Sequence, residues 1–109
     1  MTLTDPGPVF AALADPTRRS VLTRLASGGA ASATVLAREL PVTRQAVVQH
    51  LAVLGAAGLT RAQRRGREVH HEVRPDALAA AAAWMARIAA QWDERLVGIA
   101  ALAERPEAP

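Results

Sequence analysis

The chain of 109 residues has no cysteine, which excludes disulfides, thiolate metal sites and cysteine nucleophiles. No apolar run reaches membrane-spanning length and no basic-then-apolar leader opens the chain, so a cytoplasmic protein of one domain, residues 1–109, is expected. The net charge of +3 conceals a division: all 13 basic residues are arginine, and ten of them fall in residues 16–74 beside three acids, Glu39, Glu68 and Glu72, a local +7. The flanks, residues 1–15 and 75–109, each carry −2. A basic middle between acidic ends points to a polyanion partner. Half of the residues are apolar, but 26 of them are alanine, which favours helix and buries little area. A monomer built on the larger side chains that remain has a thin core, so a core shared between subunits is expected.

Residues 1–7 read as a frayed start. Val9, Phe10 and Leu13 begin a short helix. Asp15-Pro16 starts a second: aspartate can cap free N–H groups, and proline suits the first helical position. Val21, Leu22 and Leu25 are its inner side, Gly28-Gly29 ends it, and Arg18 reads as a structural ion-pair partner. Residues 32–58 then hold two helical patterns. Ser32 can cap the first, whose stripe is Leu36, Ala37 and Leu40; Pro41 ends it. Thr43 can cap the second, whose stripe is Val47, Leu51 and Leu54. With Pro41 and Val42 alone between them, the two helices must cross steeply, as in a helix-turn-helix. Arg44, Gln45 and Gln49 project away from the stripe, and these residue types bond bidentately to guanine and adenine edges in the DNA major groove.

In residues 59–74 the period changes. Val69, His71 and Val73 alternate with Glu68, His70 and Glu72, which reads as a strand. A shorter strand at about Leu59 to Gln63 precedes it, Arg65-Gly66 supplies the turn, and Arg64, Arg65 and Arg67 lie at the tip. Three arginines at a loop tip have no core role and suit phosphate contacts. Pro75 and Asp76 open a last helix, residues 75–103, with Leu78, Trp84, Met85, Ile88, Trp92, Leu96, Ile99 and Leu102 on it. That seam exceeds what a small domain can bury, so Trp92 and Leu96 read as dimer core, and Ala79 to Ala83 allow close helix approach. The tail Arg105–Pro109 is expected to be unstructured.

Other chemistry finds little footing. His70, Glu68 and Glu72 share a strand face, but one histidine and two flexible carboxylates make a poor zinc site, and the last helix has Asp76, Asp93, Glu94 and Glu104 with no histidine. No metal and no cofactor is expected. His71 points with Val69 and Val73 and should be partly buried. No glycine-rich phosphate loop exists, and no histidine is placed with a nucleophile and an orienting acid, so the chain is not expected to be an enzyme.

With ALADPTRRSVLTRLASG, VTRQAVVQHLAVLGAAGL, RRGREVHHEV and WMARIAAQWDERL in this order, the chain resembles the ArsR/SmtB family of winged-helix repressors over nearly its whole length. Its Trp-x7-Trp-Asp-Glu-Arg-Leu run is similar to the SdpR-like, metal-independent branch. The resemblance implies a mainly α fold with a small two-stranded β-hairpin as the wing. It implies a homodimer joined by the first and last helices that binds an inverted-repeat operator in double-stranded DNA as an autorepressor. Thr43, Arg44, Gln45, Gln49 and His50 match the family's DNA-facing positions, with Arg64, Arg65 and Arg67 on the wing. Val9, Phe10 and Leu13 of the first helix and Trp84, Met85, Ile88, Trp92, Leu96 and Ile99 of the last form the implied dimer interface. Positions 48 and 49 often carry Ser and Lys or Arg in the family; Val48 and Gln49 here shift phosphate anchoring toward the wing. Arg74 stands where a capping Asn or Asp is common. The family's metal sites lack their ligands here, and the resemblance leaves room for an unknown effector, a small apolar ligand or a protein. The alternative for the same basic face is a winged-helix interaction module that binds an acidic protein partner.

Overall fold

The computed structural model describes residues 5–104, so the expectations for the first four residues and for Arg105–Pro109 lie outside the described residues. Within the start read as frayed, Gly7 already belongs to a helix. The elements run α1 (Gly7–Leu13), α2 (Pro16–Gly28), β1 (Ala31–Ser32), α3 (Ala33–Glu39), α4 (Arg44–Ala56), β2 (Thr60–Arg65), β3 (Glu68–Val73) and α5 (Pro75–Glu104).

The helix boundaries have local causes. Asp15 accepts from the N–H groups of Thr17 and Arg18 at 2.7 and 3.2 Å at the head of α2. Ser32 accepts from Val35 N–H at 3.2 Å to start α3, and Thr43 from Ala46 N–H at 3.1 Å to start α4. Gly29, at φ +82°, closes α2 in the left-handed region that glycine enters without a Cβ penalty. The neighbouring arginines of ALADPTRR have a structural role. Arg18 donates from Nε to the Ala12 carbonyl at 2.6 Å, and Arg19 from Nη1 to the Leu13 carbonyl at 2.7 Å. They satisfy the free carbonyls at the end of α1 and tie it to α2.

The hairpin expected over residues 59–74 is present, but it belongs to a three-stranded antiparallel sheet of order β1-β3-β2. The additional strand is two residues long and pairs Ala31 with His71 and Ser32 with His70. Two residues carry no periodicity, and Ser32 also reads as a helix cap, so the sequence does not mark this strand. β2 starts at Thr60 and runs to Arg65, because Arg64 and Arg65 pair with Val69 and Glu68. The turn is therefore Gly66-Arg67 rather than Arg65-Gly66, with Gly66 at φ +64° in the first loop position of a tight hairpin.

The core gathers Val9, Val21, Leu22 and Leu25 from α1 and α2, Leu36 from α3, Val47, Leu51 and Leu54 from α4, and Leu59. Ala12, Ala31, Ala33 and Ala81 complete the buried apolar set, which contains no aromatic residue. Only the head of α5 joins it, through Ala77, Leu78 and Ala81. From Ala82 to Ala103 every residue is exposed. The helix therefore projects, and the molecule measures 80 × 34 × 20 Å with a radius of gyration of 20.2 Å. A compact chain of this length would have roughly 13 Å.

Candidate nucleic-acid interface

The buried stripe Val47, Leu51 and Leu54 fixes how α4 is presented. At 100° per residue, Gln45 and Gln49 lie opposite that stripe, and both are exposed. Arg44 and Val48 lie on the flank toward the hairpin. His50 lies on the other flank and is half-buried. There it is near Asp15, whose carboxyl is held below the usual range by the Arg18 N–H first, then by the Thr17 N–H, the Arg18 guanidinium and the charge of His50. Arg44, Gln45 and Gln49, with the capping Thr43 at the helix start, are all exposed, and His50 is half-buried beside the head of α2.

The exit of α4 sets the position of the hairpin. Leu59 N–H bonds to the Leu54 carbonyl at 2.9 Å and Gly58 N–H to the Gly55 carbonyl at 3.0 Å, with Gly58 at φ +78°. This is the Schellman arrangement, with its apolar partner Leu59 fully buried. Arg74 N–H then donates to the Leu59 carbonyl at 2.9 Å, joining the end of the hairpin to its beginning.

The arginines of the basic middle divide into two groups. Arg18 and Arg19 hold α1, Arg24 pairs with Glu39 across α2 and α3, and Arg61 pairs with Glu72 across β2 and β3. Arg38, Arg64, Arg65, Arg67 and Arg74 have no ion pair among the described residues. Arg44 donates from Nε to the Thr34 hydroxyl at 3.1 Å, which leaves its Nη groups available. Arg38, Arg44 and Arg67 line one groove between the head of α3, α4 and the hairpin, together with Thr34, Val48, Val69 and Glu68.

The wing arginines do not all meet at the tip. Arg67 is in the loop, Arg65 closes the ladder opposite Glu68, and Arg64 lies within the ladder opposite Val69. Strand alternation puts Arg64 on the face shared with Thr60 and Ala62, which is turned toward α4, and Arg65 on the reverse face with Arg61. Sequence reasoning missed Thr34 and Arg38. Their i, i+4 spacing on α3, away from buried Leu36, is the signal that identifies them.

His71 lies between α4 and the sheet, in an apolar crevice lined by Val48, Leu51, Ala52 and Ala62. Burial lowers its pKa, and the neighbouring charge of His70 lowers it further. His70 itself is 3.4 Å from the Glu68 carboxylate. Among the described residues no group of three His, Cys, Asp or Glu side chains could hold a metal ion. No helix among them is long and apolar enough to cross a membrane.

Away from the groove, the Phe10 ring meets Trp84 with centroids 5.6 Å apart and planes tilted by 60°. Phe10, Trp84, Met85, Ile88, Trp92, Leu96 and Ile99 are all exposed, Trp92 at 57%. Val9 is instead buried inside its own chain, and Leu13 packs against that core. The Arg95 guanidinium lies 5.7 Å from the centre of the Trp92 ring.

Residues 13–62 match the model of a helix-turn-helix domain family. The chain is 41% identical over 101 residues to the HTH-type transcriptional regulator Rv2034 of Mycobacterium tuberculosis, covering 93% of this chain and 91% of that protein. It superposes on the ArsR-like transcriptional regulator from Rhodococcus sp. RHA1 with a TM-score of 0.80, at 42% identity over 93% of this chain and 94% of the other. A solved ArsR family transcriptional regulator gives a TM-score of 0.71 at 33% identity, covering 80% of this chain and 89% of the other. The short link between α3 and α4, the hairpin fixed at the exit of α4 and these relatives agree: the chain belongs to the ArsR family of winged helix-turn-helix, DNA-binding transcriptional regulators.

Proposed function

We propose that the protein is a homodimeric, cytoplasmic repressor, built as a single winged helix-turn-helix domain, that binds an inverted-repeat operator, its own promoter included. The observation that carries this reading is the groove in which Arg38, Arg44 and Arg67 converge without an acidic partner of matching number. α4 enters the major groove, where Arg44 and Gln45 read base edges and Thr43 and Gln49 set the depth of the helix. Arg64, Arg65 and Arg67 hold backbone phosphates beside it. His50 contributes at most from the edge of this surface, given its place near Asp15. The exposed seam of α5, with Phe10, is the surface on which a second copy docks, so two recognition helices face one duplex. Metal control has no footing in the donor set, since the chain has no cysteine and no three-donor group among its described residues. An effector would be a small apolar molecule or a protein at the dimer seam.

Selection of duplexes from a random pool tests the proposal. The expected product is an inverted repeat with half-site centres about one helical turn apart. Recovery of no preferred sequence, together with tight binding to an acidic polypeptide, would replace it with the interaction-module reading.

A further inference from the structure

The groove beside α4 has charged walls and an apolar floor. Val48 is 44% exposed and Val69 on the facing strand is also 44% exposed, within a lining that includes Arg38, Arg44 and Arg67. Neither valine belongs to the buried core. One exposed valine alone would be unremarkable, but Val48 and Val69 line the same groove, and apolar side chains gathered in an open, charged-walled groove mark a contact surface. The small, exposed Ala52 continues the apolar strip one turn beyond Val48.

Taking α4 as the helix that enters the major groove, which rests on the function proposed above, only one base group matches Val48. The major-groove edges of adenine, guanine and cytosine offer donors and acceptors, and thymine alone offers a methyl group. Val48 is four residues after Arg44, about 6 Å along the helix axis. That distance is about two base-pair steps of ~3.4 Å. Arg44 is held at Nε by Thr34, so its Nη fork is free for guanine O6 and N7. We propose that Val48 determines specificity by reading the methyl group of a thymine, within about two base pairs of the guanine that Arg44 meets.

The test uses the full chain and the operator recovered by selection. Each thymine is replaced in turn by deoxyuridine, which removes the methyl group and nothing else, and the affinity is measured for wild type and Val48→Ser. Because Val48 is exposed, Val48→Ser should melt close to wild type, and the melting curve checks this. One thymine per half-site should weaken wild-type binding about three- to fivefold when demethylated, as expected for one buried methyl group. The same duplex should leave Val48→Ser unaffected. If no deoxyuridine weakens the wild type, or if Val48→Ser responds as the wild type does, the assignment is wrong. Retained preference for the operator in that case overturns the role of Val48 alone. Equal affinity for operator and scrambled duplexes overturns the proposed function with it.

Discussion

Arg44 illustrates what a single residue adds once its neighbours are known. Its type and place on the second helix were legible, because a capped helix start with Arg and Gln on the outer side is a pattern of residue types. The hydroxyl of Thr34 that holds its Nε was not, because that contact joins residues ten apart on different helices. Arg44→Ala should cost roughly 1–3 kcal/mol per half-site on the operator and relax discrimination at one base pair, in paired titrations of operator and single-mismatch duplexes. Thr34→Val keeps the side-chain shape and frees the guanidinium. It should reduce the preference for operator over scrambled DNA while leaving binding to scrambled DNA unchanged; equal weakening on both would give Thr34 a phosphate contact instead. The half-buried state of His71 was readable from alternation with Val69 and Val73. Its lowered pKa means that the unfolded chain takes up a proton near pH 6.5 that the folded chain takes up only at lower pH. Stability should therefore fall as pH drops from about 6.5 toward the lowered value. Asp15 and Glu39, both held low, lose their contribution only below about pH 4. Denaturant midpoints at pH 7.5 and 5.5 should differ in wild type, and the difference should shrink in His71→Gln.

At the scale of the elements, helices were legible through caps and stripes, and β3 through its alternation. β1 was not, since two residues cannot show a period and their partners lie some forty positions away. For a related reason the sequence puts the end of β2 at about Gln63 and the turn at Arg65-Gly66, whereas the ladder runs on to Arg65. Gly66 reads as a turn residue, but pairing between Arg65 and Glu68 decides on which side of it the loop falls. This moves weight from Arg64 and Arg65 to Arg67, the one wing arginine that shares the groove with Arg38 and Arg44. Arg67→Ala should weaken operator and scrambled duplexes alike and lower the salt slope by about one per subunit, measured over a salt series. A loss confined to the operator would mean that Arg67 reads sequence. The link from α4 to the hairpin depends on Gly58. An added Cβ would meet Ala77 at an ordinary 3.6 Å, so the penalty of Gly58→Ala comes from its φ of +78°. About 1–2 kcal/mol of stability should be lost, read from denaturant unfolding.

The whole molecule is governed by the imbalance between a small core and a long helix. Counting alanines was enough to expect a thin core, and the buried set bears this out by containing no aromatic residue. What the sequence could not show is how completely α5 departs: helical spacing gives the seam, but the fold shows that among the described residues no side chain beyond Ala81 is buried, Phe10 against Trp84 being the one aromatic contact there. A continuous apolar seam exposed along a helix of this length marks an interaction surface, which favours a second copy as its partner. Trp92→Ala should cost the dimer on the order of 3 kcal/mol or more while sparing the fold of each chain. Sedimentation should then show two chains per particle for wild type at micromolar concentration and one for the variant. A wild-type monomer under those conditions would remove the shared seam. The reading of DNA sequence by α4, with the wing adding charge, is tested most directly by one titration: wild-type protein on the selected operator and on a scrambled duplex of equal length, over a salt series. The expected result is a preference for the operator of roughly a thousandfold or more at physiological salt, with affinity for both duplexes falling steeply as salt rises. Equal affinity for the two duplexes at every salt concentration would contradict it.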